Sequence, residues 1–198
     1  MDGESSALDA FVFARRGELL ALPALVLAVR GKPSAFSIAI GLPLAFVGEA
    51  VRAWAVGYSG VTTRGDTVTA PALVTAGPYA HVRNPLYVGN FITAAGFAVA
   101  FTGGNAPPER ALLLAASLGT MLGVYAIVVP HEERYLRTTF GEPFDDYVAA
   151  VPRVLPRLSP AGSQAGTYDP SVIGRAETRT FVTFGLMLAA LAVKAIGK

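Results

Sequence analysis

Tyr79, His81, Arg83, Asn84 and Tyr87 stand within nine positions, between Gly77 and Gly89 and directly before a long uncharged run. A guanidinium and an amide bind carboxylate or phosphate, and the aromatic rings offer stacking faces and polar handles for a heteroaromatic group. Pro85 suits the first turn of a helix and disfavours helix at Asn84, so Asn84 reads as the cap of that helix. The first-turn N–H groups, with Arg83 alongside, then make an anion site. On spacing alone, a capped helix with a snorkelling arginine accounts for these residues more simply. The tyrosines serve equally as an interfacial aromatic belt, and Gly77 and Gly89 as packing glycines.

A second polar cluster, residues 130–136, follows the next apolar run and contains Glu132 and Glu133. Adjacent helical residues point about 100° apart, so at most one of the two faces a given pocket. A carboxylate there binds ribose hydroxyls or an ammonium group, or is a solvated helix end paired with Arg134 or Arg137. Glu49 and Arg52, at i and i+3 within an apolar stretch, are a costly pair and hence a functional candidate; the alternative is mutual neutralisation. With no cysteine and only His81 and His131, disulfides and thiol chemistry are excluded and no metal site is expected. Neither a nucleophilic serine motif nor a phosphate or dinucleotide loop is present: Gly103-Gly104-Asn105 lacks the strand-to-helix context.

The elements that must position these clusters are set by composition. Of 198 residues, 53% are hydrophobic and 15% charged, against about 25% charged in an ordinary soluble domain. The scattered basic residues behind the net charge of +2 form no stripe for nucleic acid. A bilayer core needs about 20 helical residues. Residues 86–102, 111–130 and 180–193 are uncharged runs, and 34–58 is long enough despite Glu49 and Arg52. Residues 8–29, interrupted by Arg15, Arg16 and Glu18, read as a tilted fifth span, with an interfacial helix as the alternative. The fold class expected is an all-α integral membrane protein of about five transmembrane helices. Its organisation reads as an N-terminal membrane segment (1–33), a core (34–156), a linker (157–179) rich in Gly, Pro, Ala and Ser, and a C-terminal transmembrane helix (180–198). The acidic N-terminus lacks the basic region of a cleaved signal peptide.

After the fourth span, Glu132, Leu136 and Phe140 recur at spacings of four and predict a helical extension ending at Gly141. A short amphipathic turn over 144–148 follows. If the face bearing Arg83 and Glu132 is cytoplasmic, its loops hold ten basic residues: Arg15, Arg16, Arg64, Arg83, Arg134, Arg137, Arg153, Arg157, Arg175 and Arg179. The opposite face holds five, Arg30, Lys32, Arg110, Lys194 and Lys198. That bias predicts a cell-membrane protein with its active face toward the cytoplasm.

Together, Gly48 to Trp54, Leu73 to Gly89, Glu132 to Leu136, Phe140-Gly141, Tyr147 and Val151-Pro152-Arg153 resemble the integral-membrane methyltransferases that include isoprenylcysteine carboxyl methyltransferases and phospholipid N-methyltransferases. The resemblance spans roughly residues 48–156 in one order. It implies S-adenosylmethionine bound at the cytosolic membrane face, between the loop before the third span and the extension after the fourth. Carried over by position, Tyr79, His81, Arg83, Asn84, Tyr87 and Gly89 line the cofactor site, Glu132 and Glu133 complete it, and Tyr147 and Arg153 close a lid. Asn84 departs from the family, which carries histidine after the arginine, and the fifth apolar run is absent from many relatives.

The implied activity is methyl transfer to a lipid or hydrophobic small molecule that enters from the membrane. A carboxylate acceptor needs no base; an amine does, and Glu132 or Glu133 supplies one, while Arg52 or Arg153 orients an acceptor carboxylate or phosphate. One rival is an NADPH-dependent membrane reductase of the sterol reductase type, disfavoured by too few spans before the motif. A noncatalytic membrane interaction protein, prompted by Asn84, is the other.

Overall fold

The computed structural model describes residues 7–60, 69–162 and 164–197; Arg64 and Lys198 of the charge count lie outside them. The described residues form helices and short turns with no strand: α1 (Ala7–Arg30), α2 (Ala35–Ser59), α3 (Pro85–Thr102), α4 (Pro107–Phe140), α5 (Glu142–Ala150), α6 (Ile173–Ala176) and α7 (Thr178–Ile196). Four of them, α2, α3, α4 and α7, are long and apolar enough to cross a membrane. The protein is an all-α integral membrane protein. The first segment is one continuous helix through Pro23, and its charges keep it apart from those four.

Local chemistry explains the boundaries. α3 begins at Pro85, whose missing N–H is no loss in a first turn. α4 runs on through Glu132, Leu136 and Phe140 and stops at Gly141, which adopts φ of 60°. A side chain at that backbone angle is strained, so glycine ends the extension and lets α5 turn away.

The chain divides into two compact units, and α2, α3 and α4 each supply residues to both. One unit (17–50, 89–124 and 178–198) has a core of Leu27, Ala45, Phe97, Phe101, Leu113, Phe184, Met187 and Leu191 with buried Ala98 and Ala100. Its helices approach at glycines. A Cβ on Gly41 would fall on the Gly96 carbonyl, and one on Gly48 would fall on Thr93 and the Gly89 carbonyl. Such contact maximises dispersion where lipid removes the hydrophobic drive between helices. Gly41→Val is therefore expected to destabilise the protein by about 1–3 kcal/mol, read as a lowered melting temperature in detergent. At one end of this unit the α1–α2 turn meets the α3–α4 turn: Lys32 N–H donates to Asn105 Oδ1 (2.8 Å), and Arg30 pairs with Glu109 (2.9 Å).

The other unit (1–16, 51–88 and 125–177) carries nearly all the candidate site residues. Phe144, Tyr147, Val151 and Ala161 form its buried cluster, with Leu73, Leu136 and Phe140 packed against it. Residues 152–162, with 164 and 165, run back antiparallel along residues 75–83 as a strap. Arg83 N–H donates to Pro152 O (2.9 Å), Arg157 N–H to His81 O (3.0 Å), Ala161 N–H to Ala80 O (2.9 Å), and Thr75 N–H to Ala165 O (2.8 Å).

Candidate active site

Two polar groupings form around α4 because Glu132 and Glu133 point to different partners. Glu133 is a hub. Its Oε1 accepts from Arg83 Nε (3.0 Å) and Asn84 Nδ2 (3.1 Å), and its Oε2 from Arg153 Nη2 (2.6 Å). Arg83 is spent on this closure: its Nη1 donates to the carbonyls of Val148 (3.2 Å) and Val151 (2.5 Å) at the end of α5. Asn84 also donates to the Arg153 carbonyl (3.2 Å). The cluster thus fastens the loop before α3 to α4, to α5 and to the strap.

Glu132 takes the other direction, where Tyr87 Oη donates to its Oε1 at 2.6 Å. The Tyr87 ring packs edge-on against Tyr125, with centroids 4.6 Å apart. Arg16, in the first half of α1, lies within electrostatic reach of both Tyr87 and Glu132. The first turns of α1 are held to α4 by the Asp9–Arg134 ion pair and by Phe13 against His131, with centroids 5.3 Å apart.

Tyr79 and Tyr147 meet at the loop: Tyr147 Oη donates to the Tyr79 carbonyl (2.8 Å), and the Tyr79 hydroxyl bonds Ser59. Burial pushes both phenols well above their ordinary value of 10.0; Glu132 adds to the rise at Tyr79, and Tyr79 to that at Tyr147. The folded state holds these protons more tightly than the unfolded chain, so the stabilisation is whole below pH 10.0 and drains away as pH rises beyond it. Alkaline melting curves are expected to fall more steeply above that pH for the parent than for Tyr147→Phe.

Arg52 is buried on α2 and gripped bidentately by Glu177: Nε to Oε2 at 2.6 Å and Nη2 to Oε1 at 2.8 Å. It lies within electrostatic reach of Tyr79. His81 uses Nδ1 to donate to the Arg157 carbonyl (2.9 Å), with Trp54 beside its ring.

The structure therefore brings Tyr79, His81, Arg83, Asn84, Tyr87, Glu132, Glu133, Tyr147, Arg153 and Arg52 into one unit. Gly89 belongs to the other, where its carbonyl lies against Gly48. Four residues not singled out from sequence join the arrangement: Arg16, Ser59, Glu177 and Asp9. In sequence, Arg16 is a charge interrupting the first apolar run and Glu177 one preceding the last, and their partners lie far along the chain. Among the described residues, no group of three or more His, Asp or Glu side chains is placed to hold a metal ion.

The chain is 36% identical over 121 residues to the nickel-cobalt-cadmium resistance protein NccN of Alcaligenes xylosoxydans xylosoxydans. It is 33% identical over 120 residues to the cobalt-zinc-cadmium resistance protein CzcN of Cupriavidus metallidurans. Each alignment takes in 61% of this chain and 48% of the relative, so the chain spans about half the length of the curated relatives it matches. No solved structure matches it. Residues 36–143, more than half of the chain, match the phospholipid methyltransferase family and take in α2, α3, α4 and the loop that carries Arg83: this chain is a member of that family.

Proposed function

We propose that the protein transfers a methyl group from S-adenosylmethionine to a lipid or other hydrophobic small molecule, at the cytosolic face of the cell membrane. The observation that carries the reading is the division of labour between the two adjacent glutamates. Glu133 is consumed in closing the structure, whereas Glu132 is buttressed by one tyrosine beside aromatic faces.

The residue chemistry fits such a cofactor, which has a cationic sulfonium, an ammonium and a flat ring. Glu132 offers a carboxylate fixed by Tyr87, and Tyr79, Tyr87 and Tyr125 offer ring surfaces. When bound, S-adenosylmethionine supplies an electrophilic methyl group. Glu132 holds positive charge, and the Tyr87 hydroxyl fixes the orientation of that carboxylate. Tyr79 and Tyr147 are protonated at neutral pH, and burial holds both further from ionisation, so neither acts as a base there. The Arg83–Asn84–Glu133–Arg153 closure holds the strap in place and keeps water out, which favours in-line displacement. Arg52, its plane fixed by Glu177, and the half-exposed Arg153 orient an acceptor carboxylate or phosphate.

Incubating the purified protein with methyl-labelled donor and separate lipid and water-soluble extracts tests this reading. Label is expected in the organic phase and is expected to vanish in Glu132→Ala. Label confined to water-soluble products would overturn the hydrophobic acceptor.

A further inference from the structure

The strap carries a feature that the cofactor site does not use. It displays Val154 and Leu155 between Arg153 and Arg157, and Leu158 directly after, with relative exposures of 56%, 80% and 102%. The backbone around them is held at Pro152, Arg157 and Ala161 by hydrogen bonds to residues 80–83, so the exposure belongs to an anchored segment. Single exposed leucines are ordinary, but three apolar side chains within five residues, in a seven-residue stretch that also holds Arg153, Arg157, Pro152 and Pro156, are the pattern of an interfacial segment.

Length fixes the depth of this segment. α3 has 18 residues, about 27 Å at 1.5 Å each, against a hydrocarbon core of about 30 Å. No turn is spare, so if α3 crosses the bilayer Pro85 lies at one hydrocarbon boundary. Arg83, two residues before it, is hydrogen-bonded to Pro152, and His81 to Arg157. The strap therefore runs at the level of the lipid head groups. Trp54, the single tryptophan of the chain, is 44% exposed and packs beside His81, which in turn bonds the Arg157 carbonyl. An amphipathic indole at that level is what the membrane boundary selects.

We propose that residues 152–158 dock onto the lipid surface, with Val154, Leu155 and Leu158 inserted among the upper acyl carbons and Arg153 and Arg157 lying toward phosphate groups. The strap is the same segment whose Arg153 closes on Glu133, so lipid contact bears on the closure around the site. The occupant is lipid and not a second copy of the chain, because two arginines in so short a patch match anionic head groups and repel their own kind. The inference needs α3 to span the membrane but does not depend on methyl transfer.

The chain contains no cysteine, so single labels are readily placed. Leu155→Cys, Leu158→Cys and, as an aqueous control on the exposed face of α5, Asp146→Cys are each labelled with an environment-sensitive fluorophore. The full chain is then reconstituted in vesicles of phosphatidylcholine and phosphatidylglycerol. Labels at 155 and 158 are expected to emit blue-shifted light. They should also be quenched at least about twofold more than the control by lipid bearing a nitroxide high on its acyl chain. Quenching equal to the control overturns the proposal. So does emission that shifts only as protein density in the vesicles rises, which marks contact between copies. Because the replaced side chains are exposed, these variants leave the core untouched.

Discussion

Glu133→Ala is expected to lower stability by about 3–5 kcal/mol, because it leaves the Arg83 guanidinium buried without its carboxylate. The arginine side chain is 8% exposed and the glutamate 10%, so water does little to replace the lost partner. Arg153 shares the same carboxylate, but its side chain is 50% exposed, and an exposed pair contributes about 0–1 kcal/mol. The two variants therefore separate: Arg153→Ala should melt close to the parent protein, and Glu133→Ala far below it. Thermal unfolding in a common detergent measures both, and equal losses would contradict the picture of Arg83–Glu133 as the inner bond. Arg83→Ala should fall with Glu133→Ala, since it also releases the carbonyls of Val148 and Val151.

The neighbouring glutamate is expected to behave in the opposite way. Glu132→Ala should leave the melting temperature near that of the parent while weakening S-adenosylhomocysteine binding. Loss of one hydrogen bond to a charged group costs about 1.5–3 kcal/mol, or roughly tenfold to a hundredfold in affinity. Tyr87→Phe, which removes only the orienting hydroxyl, should fall at or below the lower end of that range. A Glu132→Ala protein that binds as tightly as the parent, measured by equilibrium titration, would remove Glu132 from the site. Adjacent residues with opposite phenotypes, one structural and one in binding, are the signature of side chains about 100° apart on one helix.

What the sequence makes legible is local. Pro85 marked the start of α3, and Gly141, with φ of 60°, the end of α4, because each acts through its own backbone. The divergence of Glu132 and Glu133 followed from helical geometry, and the apolar runs from bilayer thickness. The partners did not follow. Arg83 reads in sequence as an anion-binding cation, yet it meets Glu133 fifty residues on, and Glu177 reaches Arg52 across 125 residues. Such pairings depend on how helices are arranged, which periodicity does not encode. The stretch after residue 156 reads as a linker from its glycine and proline content. Its backbone bonds to residues 75–81 are independent of side-chain type, so composition carried no sign of the pairing. Arg134 and Arg137, which spacing alone offers as partners for the twin glutamates, pair with Asp9 and Asp145.

The most direct test of the central claim is calorimetric titration of the detergent-solubilised protein with S-adenosylhomocysteine and, in parallel, with NADPH. The account predicts saturable binding of the first, reduced in Glu132→Ala, and none of the second. A folded protein that ignores S-adenosylhomocysteine, or that binds NADPH tightly in its place, would contradict it.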